Sequence, residues 1–524
     1  MKYRFTLILF LTLFCVDTFA KKPNLIVNIV VSSMRAEDLD RYAHNFTKAG
    51  LLRLLHDGTQ YTDSRYNYQQ TTTPVSLATL TTGALPSTHG VVSAHWRDYV
   101  ENTPVSLIGE GAAYSPRNLI APTLGETLLQ YSPKSQLVSV AMDPVSAIVM
   151  SGKGGQAFWM DSLRCDWSSS PYYVAELPNW VHRQNKEGFT LSYLYDQWNT
   201  LLPRENYLNT RRWDVAWSNP TAKELKQKKK AVKPLLTLHD DRDRMRYTPA
   251  GNTATLGFAK MAIAQFRLGA DTIPDVLNIC LDTSRTIAEA YGPESVEMED
   301  MYYRLDKDLS DFLTFVYAQA KDGNALVVLT SDHGTSPSYD LGKEPTDRFN
   351  TRQFEVIVNS FLNVRYGVGA WVLEYEDKCI YLNHNLIYER GLNLAELQNE
   401  TAIFVMQFRG VSHALSATAM RTSYFGSGYA QKMQNSFYPR RSGDVIINLM
   451  PGWIEERDRC RSASGSMYGY DNRVPLIFYG PDVESQTVAH PVEMSSVAPT
   501  LARLLNISCP AASEGSVLTE IVSN

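Results

Sequence analysis

Asp332-His333-Gly334 closes an apolar run ending at Thr330, and it is the strongest chemical signal in the chain. An adjacent carboxylate and imidazole can share one divalent ion, and a glycine lets the backbone turn sharply beside them. A lone pair of this kind also serves as a hydrogen-bonded structural unit, so its meaning depends on its neighbours. Thr71-Thr72-Thr73-Pro74 opens a stretch that reads as a helix to Thr82. Pro74 suits the first helical position and Thr73 the cap. A hydroxyl at a helix N-terminus faces free backbone amides and the positive dipole end, which is good geometry for holding a phosphate or sulfate near a nucleophile. Simple capping is the plainer use of the same threonine. Three further groups flank apolar runs: Ser32-Ser33-Met34-Arg35, then Asp282 to Arg285 with Glu289, then Ser462-Ala463-Ser464-Gly465.

The elements that must position these groups are short Val/Ile/Leu runs. Leu25 to Val31, Leu137 to Met142, Val276 to Leu281, Ala325 to Thr330 and Val474 to Tyr479 suit strands buried on both faces. Asp38 to Leu55, Asn252 to Leu268 and Glu297 to Ala320 carry apolar residues at helical spacing. The alternation predicts an α/β fold, a mainly parallel central sheet flanked by helices. In such sheets ligands bind beyond the C-terminal strand ends, where the chemical groups above fall. Residues 156–249 break the alternation; they are rich in Trp, Tyr and Pro and read as an insertion over the sheet edge. Their charge run, Lys223 to Lys233, reads as a solvated helix face. Residues 336–461 form a second irregular stretch, read as a cap.

Composition sets the outer bounds. The 524 residues are 44% hydrophobic and 20% charged, which excludes a disordered or fibrous chain. With 50 Lys plus Arg against 55 Asp plus Glu, no basic excess exists to neutralise a nucleic-acid backbone, and no nucleic-acid partner is expected. Lys2 and Arg4 precede an apolar run from Phe5 to Val16 and a small residue at Ala20. This is the pattern of a signal peptide over residues 1–20, so residues 21–524 are expected as one exported domain, periplasmic or secreted. No later segment is apolar enough to span a membrane. Cys165, Cys280, Cys379, Cys460 and Cys509 remain, without zinc-finger spacing, and their odd number leaves at least one thiol free.

Over nearly its whole mature length the chain resembles the alkaline phosphatase superfamily, in particular exported bacterial phosphate-irrepressible alkaline phosphatases and type I phosphodiesterase/nucleotide pyrophosphatases. The matching pieces run in order from Val30-Val31-x-x-Met34-Arg35 through Thr73 and Thr82-Gly83-x-x-Pro86-Ser87-x-His89-Gly90. Leu201-Leu202-Pro203, Thr248-Pro249-x-Gly251-Asn252, Gly292-Pro293-x-Ser295-x-Glu297 and Arg304-Leu305-Asp306 follow. Thr330-x-Asp332-His333 and Tyr470-Asp471-x-x-Val474-Pro475 complete the series.

The resemblance implies hydrolysis of phosphate esters by two zinc ions and a Thr or Ser nucleophile that becomes phosphorylated. It assigns the nucleophile to Thr73 and two ligands of the first ion to Asp332 and His333. That ion's third ligand falls on Ser32. The second ion's three ligands fall on Arg285, Glu289 and Ser464. The family's phosphate-contacting Asn falls on Ala94, beside His95, and its Lys and Arg clamps fall on Asp143 and Val145. A guanidinium cannot ligate a cation, and Arg is not deprotonated in proteins. Arg285 is therefore expected in the second ion's place, paired with Asp332, Glu289 or both; Asp282 is the one candidate substitute ligand.

Three readings follow. The first is a non-catalytic member of the family, kept for binding or assembly with an extracytoplasmic partner. The second is an altered phosphomonoesterase or phosphodiesterase that uses Thr73 with one divalent metal, zinc foremost, at Asp332 and His333. The third is a carbohydrate- or peptide-binding surface on the aromatic insertion. The cofactor expectation is accordingly none or a single metal, with a phosphate ester as the possible substrate.

Overall fold

The computed structural model describes residues 22–161, 163–194, 198–209, 241–338, 348–456 and 460–522. The segment read as a signal peptide and the charge run Lys223 to Lys233 lie outside them. A ten-stranded sheet forms the centre. Its strands are β1 (Leu25–Val31), β2 (Thr59–Arg65), β3 (Leu137–Ala141), β4 (Gln156–Met160), β5 (Trp167–Ser168), β6 (Asp275–Leu281), β7 (Ala325–Thr330), β12 (Arg473–Tyr479), β13 (Gln486–Val488) and β14 (Val492–Glu493). Strands β8 (Val372–Glu376), β9 (Cys379–Leu382), β10 (Val411–Ser416) and β11 (Val445–Leu449) build a separate antiparallel sheet. The helices that matter to the site are α1 (Thr73–Thr82), α2 (Pro144–Ser151), α3 (Ala250–Phe266), α4 (Thr283–Tyr291) and α5 (Val296–Gln319).

Sheet order is β13-β2-β12-β7-β1-β6-β3-β4-β5, with β14 also paired to β2. Pairing is parallel from β7 through β1, β6 and β3 to β4. β12 enters antiparallel between β7 and β2. The five strands expected from the sequence are present within a residue of their expected bounds. β1 shows why they were readable: all seven residues are buried, with Leu25, Val27, Ile29 and Val31 in one apolar core and Ile26 and Val30 in the other. Asn28, mid-strand, donates sideways to Asn278 Oδ1, 2.8 Å away on β6. Of the expected helices, Asn252 to Leu268 and Glu297 to Ala320 form as α3 and α5, whereas Asp38 to Leu55 breaks into Ala36–Tyr42 and Leu51–Asp57.

The start of the expected insertion belongs to the sheet. β4 pairs in parallel with β3, and β5 returns against it. The aromatics that follow pack inward: Trp167 stacks on Phe258 at 4.1 Å, and the buried Trp198 donates its indole N–H to Asp300 at 2.7 Å. A binding surface built on these rings therefore loses its main constituents to the core. The cap is more regular than expected. Its four strands pack with helices around a third apolar cluster that includes Phe354, Trp371, Leu397 and Ile447. Among the described residues Cys165, Cys280, Cys379 and Cys460 are buried and Cys509 is exposed. No helix among the described residues is long and apolar enough to cross a membrane.

Candidate functional site

The expected residues meet where β1, β6 and β7 end side by side. Ser32 follows β1 and Asp332 follows β7; Ser32 Oγ donates to Asp332 Oδ2 at 2.7 Å. Asp332 Oδ1 accepts the backbone amides of His333 at 2.8 Å and Ser33 at 3.2 Å. Ser33 takes a left-handed conformation, φ 63°, which turns its amide toward that carboxylate. Gly334 is required for packing. A Cβ there would lie 2.0 Å from the Tyr470 carbonyl oxygen, so no side chain fits between Asp332-His333 and the segment leading into β12.

Thr73 faces the same point. Its Oγ1 is 3.2 Å from His333 Nε2, which itself lies 3.3 Å from Asp332 Oδ2. His333 Nδ1 is 2.6 Å from the Gly334 carbonyl, which only accepts, so Nδ1 carries the hydrogen. Nε2 faces the Thr73 hydroxyl and the Asp332 carboxylate together. The helix cap is Thr72, one residue before the expected position, and its side chain makes no capping bond. Thr73 is the first helical residue, and its hydroxyl is free for the site because it caps nothing. All four side chains of this cluster are buried. Burial pushes the Asp332 carboxyl up, but His333, the Thr73 and Ser32 hydroxyls and Arg285 together hold it below the usual carboxylate range.

Arg285 and Glu289, two of the positions expected at the second centre, lie on α4. Arg285 lies on the first turns of α4, and its Nη2 is 3.5 Å from Asp143 Oδ2, at the cap of α2. Asp143 is thus the ion-pair partner, not Asp332 or Glu289 as the sequence suggested. The four-residue spacing to Glu289 places that carboxylate in the field of Arg285 without a direct pair. Burial works against the guanidinium charge, but Glu289, Asp143, Asp282 and Asp332 together hold it protonated above its ordinary value. Asp282 is no substitute ligand. Its Oδ2 accepts the Met142 and Asp143 amides, both at 3.0 Å, and its Oδ1 accepts Ser146 Oγ at 2.6 Å. Burial and the nearby Asp143 push its carboxyl up to about 6 in spite of Arg285. Ser464 is half-buried in the loop before β12.

A two-zinc centre does not fit these residues. Among the described residues no three His, Cys, Asp or Glu side chains gather as a metal would require. A catalytic zinc takes three protein ligands and an open position. Here Asp332 and His333 are two, Ser32 offers only a hydroxyl already donated, and Arg285 brings a positive charge. A cleft of about 820 Å³ opens beside Arg285, with Ala94, His95, Asp143, Val145 and Asp161 on its walls. Where the resemblance led to phosphate clamps, this wall therefore carries a carboxylate and an apolar side chain.

Sequence reasoning left two roles unread. Ser33 acts through its backbone amide, which donates to Asp332. Asp143, named only as a position where a phosphate clamp would fall, reaches Arg285 from 142 residues away.

Comparison with known proteins agrees with this fold. The sequence model of the family described as type I phosphodiesterase / nucleotide pyrophosphatase matches residues 26–471. The chain is 28% identical to alkaline phosphatase PafA of Elizabethkingia meningoseptica, over 96% of this chain and 95% of that protein. It is likewise 28% identical to alkaline phosphatase PhoV of Synechococcus elongatus, over 96% of this chain and 93% of that one. The crystal structure of wild-type PafA superposes with a TM-score of 0.87 at 26% identity, covering 96% of this chain and 99% of the other.

Proposed function

Since the chain belongs to the type I phosphodiesterase / nucleotide pyrophosphatase family of the alkaline phosphatase superfamily, we propose that it keeps the phosphoester-hydrolase fold as an exported, non-catalytic binding protein. The observation that carries this reading is the way Asp332 is satisfied. Ser32 Oγ, two backbone amides and the nearby Arg285 charge supply what a metal ion would otherwise supply. Of the replaced positions Ser32, Arg285, Glu289 and Ser464, Arg285 lines the cleft and is balanced there by Asp143. Fold likeness alone is no warrant for activity, since function resides in the site. Export rests on the N-terminal signal pattern.

The test is turnover of a phosphomonoester and a phosphodiester by purified, zinc-supplemented protein, beside Thr73→Ala. The expected result is no turnover above that variant. Hydrolysis abolished by Thr73→Ala would overturn the reading and establish Thr73 as a nucleophile.

One observation favours a second reading. Thr73 Oγ1, His333 Nε2 and Asp332 Oδ2 converge, with the imidazole nitrogen 3.2 and 3.3 Å from the two oxygens. A single-metal phosphoesterase would use these three groups, with the metal polarising the ester oxygen. One equivalent of metal per chain, lost in His333→Ala together with turnover, would select it.

A further inference from the structure

Two segments far apart in sequence meet on the wall of the 820 Å³ cleft. One is the end of β4, which brings Trp159 and, two residues on, Asp161. The other is the turn around Gly111–Ala113, which brings Glu110 and Tyr114. They touch ring to ring: Tyr114 stands edge-on to Trp159, with centroids 5.9 Å apart at 68°. The aromatic corner so formed carries a carboxylate on each arm, Glu110 ahead of Tyr114 and Asp161 behind Trp159.

Neither carboxylate is compensated. Asp161 Oδ1 accepts the amides of Leu163 and Arg164 at 2.8 and 3.1 Å, while its Oδ2 takes no hydrogen bond from a described residue. Glu110 is exposed and makes no ion pair among the described residues. Burial and the nearby Asp161 push the Asp166 carboxyl up, against the pull of Arg164, so the Asp161 charge is felt by its neighbours. The guanidinium groups of the cleft gather along α4 instead. Arg285 pairs with Asp143, and the Arg246 carbonyl accepts the hydroxyl of Thr286, the next residue.

The Trp159 ring is an independent sign. It is 5% exposed and forms part of the cleft wall, and its indole N–H meets no acceptor among the described residues. A donor so enclosed calls for an oxygen from a ligand. Aromatic rings beside two unpaired carboxylates call for a cation. An anion would be repelled from the same corner.

We propose that Tyr114, Trp159, Glu110 and Asp161 bind an organic ammonium group, a protonated or quaternary amine whose neighbouring hydroxyl or carbonyl oxygen accepts the Trp159 N–H. This deepens the non-catalytic binding reading and rests on it only in that the cleft holds a ligand without cleaving it.

The test is calorimetric titration of the purified protein with choline, with ethanolamine, and with the neutral alcohol in which carbon replaces the choline nitrogen. Saturable binding of the amines is expected, and none of the neutral alcohol at the same concentrations. Glu110→Gln and Asp161→Asn combined in one chain should weaken amine binding about tenfold or more. Trp159→Phe, which keeps a ring and loses the N–H, should weaken it several-fold. The asparagine keeps an oxygen for the Leu163 and Arg164 amides, and Glu110 is exposed, so the double variant should fold as wild type does, scored by circular dichroism. Tighter binding of choline would identify a quaternary ammonium as the natural group, and tighter binding of ethanolamine a protonated amine. No saturable binding of either amine, equal binding of the neutral alcohol, or unchanged affinity in the double variant would overturn the proposal. Phosphomonoester turnover abolished by Thr73→Ala, with amine binding intact, would reject only the non-catalytic reading.

Discussion

Arg285→Ala tests the idea that this arginine neutralises a pocket once organised around metal. Its direct pair with Asp143 is 3.5 Å long, with the two side chains 26% and 36% exposed, so the pair alone is worth only about 0–1 kcal/mol. The larger effect lies in the buried carboxylates. Burial and the nearby Asp143 push the Asp282 carboxyl up to about 6 even with Arg285 present, so its charged form is already disfavoured at neutral pH. Removing the guanidinium disfavours it further. It also withdraws part of what holds Asp332 below the carboxylate range. Allowing for partial solvent access, the expected loss is about 1–3 kcal/mol at pH 8. The sign with pH is fixed. Asp282, with its folded value raised, destabilises the native state above about pH 6 and not below pH 4. Asp332, with its folded value lowered, contributes stability above its unfolded value, and that contribution disappears as pH falls through the folded one. Asp282 makes the Arg285→Ala deficit larger at pH 8 than at pH 4, whereas the Asp332 share persists at pH 4 and is lost only below it. Urea unfolding followed by tryptophan fluorescence at the two pH values measures it. An equal deficit at both, or none at pH 8, would refute the electrostatic argument.

Other perturbations follow from the same packing. Glu297 is buried and pushed up to about 7, so Glu297→Gln should stabilise the protein by up to about 3 kcal/mol at pH 8 and hardly at all at pH 4, measured by urea unfolding. Ser32→Ala removes the 2.7 Å donor to Asp332 and should cost about 1–3 kcal/mol at neutral pH, read as a lowered denaturation midpoint. Gly334→Ala forces a Cβ to within 2.0 Å of the Tyr470 carbonyl and should cost about 1–3 kcal/mol or more, seen as reduced thermal stability and faster proteolysis of the loop before β12.

The central strands were legible because burial on both faces leaves continuous Val/Ile/Leu runs, as in β1 and β7, whose residues are all buried. β2, with the sequence TQYTDSR and both buried and exposed positions, carries no such run and went unread. The cap sheet was equally opaque: every residue of β8 is half-buried, so neither a continuous run nor a clean alternation marks it. At the site, motif order singled out Thr73, Ser32, Asp332 and His333 because each follows a strand or opens a helix of the central sheet, and the structure brings the four side chains together. The partner of Arg285 was misread because spacing on a helix reports only neighbours on that helix. Asp143 comes from the adjacent β3–α2 connection, and only the sheet order brings the two together. The docking of the β8–β9 hairpin tip escaped notice for a related reason: nothing local to Asp377-Lys378 says that it meets Gln70 and Ser93.

The account's central claim, that four altered ligand positions leave no two-zinc centre, is tested most directly by elemental analysis of the protein purified without chelator and dialysed against zinc. Beside it stands a variant combining Ser32→Asp, Arg285→Asp, Glu289→His and Ser464→His. The account predicts fewer than one tightly held zinc per unaltered chain and a gain of bound zinc in the variant. Two zinc ions retained per unaltered chain would contradict it.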